Sequence, residues 1–196
     1  EEEEVFPPYN AIQLQEILRK RSTDAFYENS MGEGVMAKCG ALAARENGDA
    51  RRSLDLLRVA GELAERSDSK LVEMKHVDEA VKKIERDKML DVIENEPSQF
   101  KAVLLGVIYL AKDKPNTMLF TGDIYNRYQD ICRKLKTEAL TQRRVSDILA
   151  EFDMLGIINA KVISKGRQGR TREIKLMISD GMLPKAKEIL IQSLNI

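Results

Sequence analysis

The amino-acid sequence changes its hydrophobic period once, close to residue 157, and this change limits the folds that it can adopt. In residues 141–155 the apolar side chains recur at helical spacing. In residues 158–162 and 174–178 they alternate with polar side chains, which is the period of a β-strand. The segment between the two strands predicts a turn, because it combines two glycines with basic side chains: Lys165, Gly166, Arg167, Gln168, Gly169 and Arg170.

Three helices are predicted ahead of this hairpin. Ser98, Thr121 and Thr141 are each expected to cap a helix, and these helices extend to about residues 112, 135 and 155. Pro184 is expected in the first turn of one last helix. Three helices followed by a hairpin with a basic tip is the element order of a winged helix-turn-helix domain, which we predict for residues 96–196.

Residues 1–95 have helical patterns only. Helices are predicted over residues 10–22, 33–46, 49–66 and 77–93. Asn10 and Asp49 are expected to cap the first and the third of them, and the second stops at Asn47-Gly48. Pro97 marks the boundary, because the residue before a proline avoids helical geometry. We therefore predict a mainly α chain, with a small helical bundle in residues 1–95. In its third helix the expected core face is Ala50, Leu54, Leu57, Gly61 and Ala64, opposite a stripe of Arg51, Asp55, Arg58 and Glu62.

The two halves of the 196-residue chain carry opposite charge. Residues 1–95 hold 15 basic and 21 acidic side chains, whereas residues 96–196 hold 17 basic and 11 acidic ones. Residues 161–175 contain six basic groups and one acidic group. This asymmetry indicates two domains, of which the second faces a polyanion. Solvated surface charge is the alternative interpretation.

The predicted helix after Thr141 has cations where a helix disfavours them. Arg143 and Arg144 lie in its first turn, near the positive end of the helix dipole, where a cation costs about 0.3–1 kcal/mol. Asp147 is the nearby acid, and a solvated Arg143–Asp147 pair is one interpretation. The other is DNA recognition, because a helix-turn-helix contacts bases with the N-terminal residues of its second helix. The predicted DNA-binding residues are Thr141, Gln142, Arg143, Arg144, Ser146, Lys165, Arg167, Gln168, Arg170 and Arg172.

The residues available for catalysis or metal binding are few. One histidine, His76, and two cysteines, Cys39 and Cys132, cannot complete a four-ligand structural zinc site. Any catalytic triad would depend on His76, which is expected instead to be a structural residue at the start of a helix, so no metal and no catalytic residue is predicted. The cysteines are expected to be buried free thiols, and Tyr125 and Tyr128 to be packing residues. The longest apolar run has ten residues, too few to cross a bilayer, so we expect no membrane partner. Two cysteines make no disulfide framework, and we therefore expect a reducing, cytoplasmic location.

Several segments resemble one protein family, in the order in which that family has them. Residues 48–58, Gly-Asp-Ala-Arg-Arg-Ser-Leu-Asp-Leu-Leu-Arg, resemble the sensor-2 segment in the lid of AAA+ ATPases, and most of all that of the archaeal Orc/Cdc-type origin-recognition initiators. Residues 6–9, Phe-Pro-Pro-Tyr, resemble the entry to that lid. Residues 141–148 resemble the family's recognition helix, and residues 166–171 resemble its wing.

The resemblance implies an AAA+ lid followed by a winged-helix DNA-binding domain. Arg51 would be the sensor-2 arginine, which senses ATP held with Mg²⁺ by a separate base domain. The sequence has no Walker A loop, since no glycine is followed by lysine, and it has no Walker B strand. We therefore expect no enzyme activity and no stable ATP or ADP binding from this chain alone.

The function implied is DNA replication initiation. The expected partners are double-stranded origin DNA and, in addition, the replicative helicase or other initiator subunits. The chain is expected to be a nucleoid-associated monomer when off DNA. Two alternatives stay open: a winged-helix transcription regulator whose helical half dimerises, and a winged-helix module that binds proteins.

Overall fold

The computed structural model describes residues 7–115, 117–164 and 170–196. Over these residues the chain forms eight helices and one three-stranded antiparallel sheet, which confirms the mainly α fold. The chain divides into two compact units between Asp87 and Lys88. This division lies within helix α4 (Met74–Asn95). The domain boundary predicted at residues 95–96 falls at the end of this helix. Leu90 and Ile93, near that end, are buried in the core of the second unit.

The first unit is a helical bundle, as predicted. Asn10 caps its first helix by accepting the backbone N–H of Gln13, and Asp49 caps the third by accepting that of Arg51. The second helix ends before Gly48, whose φ of +65° favours glycine, and a Cβ there would lie 2.6 Å from the Tyr9 carbonyl oxygen. The complete helices of this unit are α1 (Ala11–Ala25), α2 (Val35–Glu46) and α3 (Ala50–Arg66).

The core face of α3 is wider than predicted. Leu57 is buried as expected, but Leu54 is only half-buried, and the positions Leu56 and Ala60 are completely buried. The cause is that α3 packs against both α1 and α2, so its apolar face spans two neighbours. The predicted stripe of Arg51, Asp55, Arg58 and Glu62 lies on the more accessible side of the helix.

The second unit has the element order of a winged helix-turn-helix. Its elements are α5 (Ser98–Asp113), β1 (Leu119–Phe120), α6 (Thr121–Leu135), α7 (Gln142–Met154), β2 (Ile158–Ser164), β3 (Arg170–Leu176) and α8 (Leu183–Leu194). The strand order is β1-β3-β2, and the hairpin register pairs Ile158 with Leu176 and Ser164 with Arg170. Strand β1 was not predicted, because two residues are too few to show alternation.

Two of the predicted helix caps in this unit are wrong. Ser98 and Thr121 are the first residues of their helices, and the cap positions belong to Pro97 and Phe120 without a side-chain cap bond. Thr141 caps α7 as predicted. The core lies between α5, α6, α7, α8 and the sheet, and its largest completely buried side chains are Tyr128 and Phe152.

Candidate nucleic-acid interface

Helix α7 is fixed in rotation by its buried face. Val145, Ile148 and Phe152 are completely buried, so the opposite face of the helix points to solvent. At its start, the Thr141 hydroxyl oxygen accepts the backbone N–H of Arg144 at 3.3 Å. This arrangement leaves four predicted DNA-binding side chains together and exposed in the first turn: Thr141, Gln142, Arg143 and Arg144.

The first-turn arginines keep their positive charge uncompensated. Within the part of the chain that the structure describes, no ion pair joins Arg143 or Arg144 to Asp147 or to any other acid. The solvated Arg143–Asp147 pair, which was the alternative interpretation, is therefore not formed here. Two free guanidinium groups at the positive end of a helix dipole make this turn attractive to an anion.

Arg172 and Ser146, both predicted to contact DNA, contact each other. The Arg172 guanidinium donates from Nη1 to the Ser146 carbonyl oxygen and to its hydroxyl oxygen, the latter at 2.9 Å. Both side chains are half-buried. The contact ties strand β3 to helix α7. The alternation of side chains along β3 could have indicated this contact. Arg172 lies two residues before the buried Ile174, so both side chains are on the face of the strand that is turned toward the helices.

The predicted basic turn falls between the end of β2 and the start of β3. Lys165, Arg167 and Gln168 are outside the described residues, and so is the side chain of Arg170. The backbone of Arg170 begins β3 opposite Ser164, so both ends of the turn are held by the sheet. Lys161 and Lys175 are exposed on the two strands, and Lys175 pairs with Asn159, toward the end of the hairpin that lies away from the turn.

Two tyrosines of α6 hold the residue that precedes the cap of α7. The Tyr125 hydroxyl donates to the Leu140 carbonyl oxygen at 3.2 Å, and the Tyr128 hydroxyl oxygen accepts the Leu140 N–H at 2.9 Å. Tyr128 also donates to the side-chain oxygen of Gln99. Burial raises the pKa of Tyr128 to about 12, so its hydroxyl stays protonated and keeps donating. Packing was predicted for both tyrosines, but these bonds were missed.

In the first unit, Arg51 is exposed at the rim of a groove of about 810 Å³. The sequence left two possibilities for its guanidinium, exposure or a pair with Asp55. Among the described residues, Asp55 pairs instead with Arg58 at 3.0 Å, and Arg51 is exposed. The charge of Arg51 is therefore available to a group outside this unit.

Other polar residues of the first unit have structural contacts. Arg52 is buried and makes two bonds to Glu46, at 2.9 and 3.0 Å. His76 is buried, and its Nδ1 accepts the backbone N–H of Glu73 at 3.0 Å, which agrees with its predicted place at a helix start. Cys39 and Cys132 are buried free thiols, as predicted. Within the described ranges, no group of His, Cys, Asp and Glu could hold a metal, and no helix has the length and hydrophobicity that crossing a bilayer requires.

Comparison with known proteins identifies both units. The family model for the C-terminal winged helix domain of CDC6 matches residues 91–186, and that for the Cdc6 AAA+ ATPase-type lid domain matches residues 15–82. The chain is 55% identical over 179 residues to an ORC1-type DNA replication protein of Pyrococcus horikoshii, a match that covers 91% of this chain and 42% of that protein. It is 47% identical over 188 residues to ORC1-type DNA replication protein 1 of Archaeoglobus fulgidus, which covers 96% and 46%.

A solved structure shares the arrangement of elements. The Aeropyrum pernix ORC1 protein in complex with DNA superposes with a TM-score of 0.72 at 45% identity, over 98% of this chain and 49% of that one. The chain thus spans less than half the length of these relatives.

Proposed function

Because the chain belongs to the ORC1/Cdc6 family, of which it carries the lid and the winged helix domains, we propose that it acts in DNA replication initiation by binding duplex origin DNA. The binding surface is the first turn of α7 together with the turn between β2 and β3. The observation that carries this proposal is the exposed, unpaired Arg143 on a helix whose opposite face is completely buried.

Helix α7 supplies the base contacts. Its exposed first turn enters the major groove, where arginine reads guanine through two parallel hydrogen bonds and glutamine reads adenine. Arg143 and Gln142 are the residues assigned to this role. The Thr141 hydroxyl oxygen accepts the backbone N–H of Arg144 in the cap, and its O–H can still donate to a phosphate. Arg144 offers its side chain to the adjacent phosphates.

The basic turn supplies affinity that does not depend on sequence. Lys165, Arg167 and Arg170 are assigned to the DNA backbone, with Gln168 beside them, and each phosphate that they neutralise releases counterions. The bond from Arg172 to Ser146 supports this division, because it joins the strand that leaves the turn to the helix that reads bases. Arg172 and Ser146 therefore position the surface instead of contacting DNA.

The lid contributes through Arg51. Its exposed guanidinium fits contact with a phosphate of ATP, which the remainder of a whole family protein would hold with Mg²⁺. Arg51 would hold the negatively charged phosphate of a nucleotide bound by that remainder of the protein. For this chain alone we propose neither ATPase activity nor stable nucleotide binding. Three further expectations stay predictions. These are contacts with the replicative helicase or other initiator subunits, a monomeric state off DNA, and a location at the nucleoid.

Fluorescence anisotropy tests the DNA assignment. We expect the chain to bind an origin-like inverted-repeat duplex more tightly than a scrambled duplex at moderate salt. Arg143→Ala is expected to cost about 1–3 kcal/mol on the origin duplex and to relax the preference between the two. Arg133→Ala is the matched control, because Arg133 is exposed and pairs with Asp130 on α6, so its loss removes one positive charge from a helix other than α7.

Three outcomes would count against the proposal. Equal, steeply salt-dependent binding to both duplexes would place sequence recognition outside this chain. No binding to either would favour the protein-binding module. A stable dimer by analytical ultracentrifugation, with DNA binding intact, would favour the transcription regulator.

A further inference from the structure

The second unit has a groove of about 940 Å³ that the DNA surface does not use. It is lined by the end of α5, the connection to β1, the end of β3 and the start of α8, and no residue of α7 lines it. Strand β3 starts at the basic turn and ends at the groove, since β1 pairs Leu119 with Ile174 near the far end of β3. DNA seated on α7 and the turn would therefore leave the groove open.

The floor of the groove is apolar. Ile108 and Leu119 are buried there, and Leu176 and Leu183 are half-buried. Met118 lies at the groove with 51% of its surface exposed. An apolar floor of this kind favours a ligand that brings apolar side chains of its own, because their burial is the main source of binding free energy.

The residues around this floor are basic. Four of the groove's lining residues are lysines, and none of them has an ion-pair partner among the residues that the structure describes. Asp180 is the one acid among the described lining residues. Lys187 is half-buried, and its ammonium nitrogen lies 5.0 Å from the centre of the Tyr109 ring, which limits where its charge can move. The four lysines are Lys112, Lys114, Lys175 and Lys187.

We propose that this groove docks a short acidic segment of a partner protein, whose apolar side chains cover the floor and whose carboxylates meet the lysines. A nucleic-acid backbone would satisfy the lysines but leave the floor in contact with water. An uncharged apolar segment would cover the floor and leave the lysines unpaired. Charge complementarity around an apolar centre thus selects one class of ligand, and such charges also speed association.

The proposal does not depend on the DNA assignment. Because the groove and the first turn of α7 share no residue, the chain can hold an acidic peptide and a duplex at once. Loss of peptide binding and loss of DNA binding are therefore separate results.

Peptide titration tests the groove on the intact 196-residue chain. The probe is a fluorescein-labelled peptide of about twelve residues in which Asp and Glu alternate with Leu and Phe. We expect saturable binding, and at least a tenfold loss when Asp and Glu are replaced by Asn and Gln. The double variant Lys114→Glu/Lys175→Glu is expected to lose at least tenfold in peptide affinity and to keep its affinity for DNA.

A second double variant controls for net charge. Lys134→Glu/Lys161→Glu makes the same charge change at exposed positions outside the groove, and we expect it to change peptide affinity less than twofold. Amide chemical-shift mapping on the unmodified chain provides a measurement that needs no variant. Peptide-induced shifts are expected at Met118 and Leu176 and not at Arg143.

Any of four results from the binding and chemical-shift experiments would overturn the proposal. These are the absence of saturable peptide binding, equal weakening by the two double variants, peptide shifts centred on α7, and a loss of DNA affinity in Lys114→Glu/Lys175→Glu as large as its loss of peptide affinity. The last would assign the lysines to the DNA surface. Sedimentation gives one further test. If Lys114→Glu/Lys175→Glu had a lower sedimentation coefficient than the unmodified chain, the groove would bind a second copy of the chain, and the proposal of an acidic partner would be rejected.

Discussion

Both backbone groups of Leu140 are bonded to hydroxyl groups from α6, and this contact sets where α7 begins. The Tyr125 hydroxyl donates to the Leu140 carbonyl oxygen, and the Tyr128 hydroxyl oxygen accepts the Leu140 N–H. The turn between the two helices therefore has one defined conformation. Because Thr141 follows directly and caps α7, the same bonds place the first turn that carries Arg143.

Tyr128→Phe is expected to destabilise the second unit by about 1–3 kcal/mol. The change leaves the Leu140 N–H and the Gln99 side-chain oxygen without their bond to this buried hydroxyl. Tyr125→Phe is the matched control and should cost less, since it removes one bond from a half-buried side chain. Urea unfolding followed by circular dichroism measures both. Equal costs would mean that the two hydroxyls contribute alike.

His76 stabilises the start of α4 by accepting a hydrogen bond from the backbone. Its Nδ1 accepts the Glu73 N–H, so His76→Ala is expected to cost about 1 kcal/mol or more. His76→Gln should recover part of that loss, because a glutamine at this position can accept the same N–H. Thermal unfolding of the two variants separates the bond from the packing. A glutamine variant no more stable than the alanine variant would show that the ring is required for its volume.

The Cys39 thiol is expected to resist alkylation while the first unit is folded. Burial raises its pKa to about 12, with Lys38 opposing the shift, so the reactive thiolate is nearly absent at pH 8. Iodoacetamide at pH 8 should modify Cys39 only on the timescale of unfolding, as peptide mass mapping can follow. Rapid modification in the absence of denaturant would contradict the burial described here.

At the scale of elements, the contact between β3 and α7 makes the hairpin and the helix one body. Arg172 reaches from a strand to the middle of the helix and bonds both the carbonyl and the hydroxyl of Ser146. Both bonds leave one nitrogen, Nη1, which the planar guanidinium group holds in place, whereas a lysine ammonium group lies at the end of a flexible four-carbon chain.

Arg172→Lys is therefore expected to weaken DNA binding although it keeps the charge. The salt dependence of binding should stay unchanged, because no phosphate contact is lost. Ser146→Ala removes only the hydroxyl acceptor and should have a smaller effect, and its effect should vanish in the Arg172→Lys background. Anisotropy over a salt series measures all three variants. A salt slope lower by about one in Arg172→Ala would instead assign Arg172 to a phosphate.

The elements themselves were largely predictable, since helical and strand periods are local properties of the sequence. The predicted caps at Asn10, Asp49 and Thr141 are confirmed, but those at Ser98 and Thr121 are not. Their helices begin one residue earlier than predicted, a difference that the local sequence pattern does not resolve. The pairing of Arg172 with Ser146 was not expected from charge, although the strand period indicated which way Arg172 faces. The bonds to Leu140 join residues distant in sequence and left no local signal.

At the scale of the whole molecule, the chain builds two separate hydrophobic cores on one continuous helix. Leu56 and Val77 belong to the first core, whereas Leu90 and Ile93, later on the same helix as Val77, belong to the second. A substitution in one core can therefore destabilise its own unit without removing any side chain from the other core.

Leu56→Ala is expected to destabilise the first unit by about 2–5 kcal/mol. Leu56 is completely buried, so its truncation leaves a cavity, and calorimetry should show a lower transition for that unit. DNA affinity, measured well below this transition, should stay within twofold of the unmodified chain. Leu105→Ala, at a completely buried position of α5, is the matched change in the second core and should lower the other transition. If Leu56→Ala abolished DNA binding, the surface would need both units.

The bond from Arg172 to the Ser146 carbonyl has an evolutionary consequence. Every amino acid has a backbone carbonyl, so the hydrogen bond from Arg172 to this oxygen does not depend on which side chain stands at position 146. Gln142 and Arg143 lie one turn earlier, with side chains free in solvent. Residues on the outer face of α7 can therefore be exchanged one at a time between related sequences, while the hairpin stays bonded to the helix.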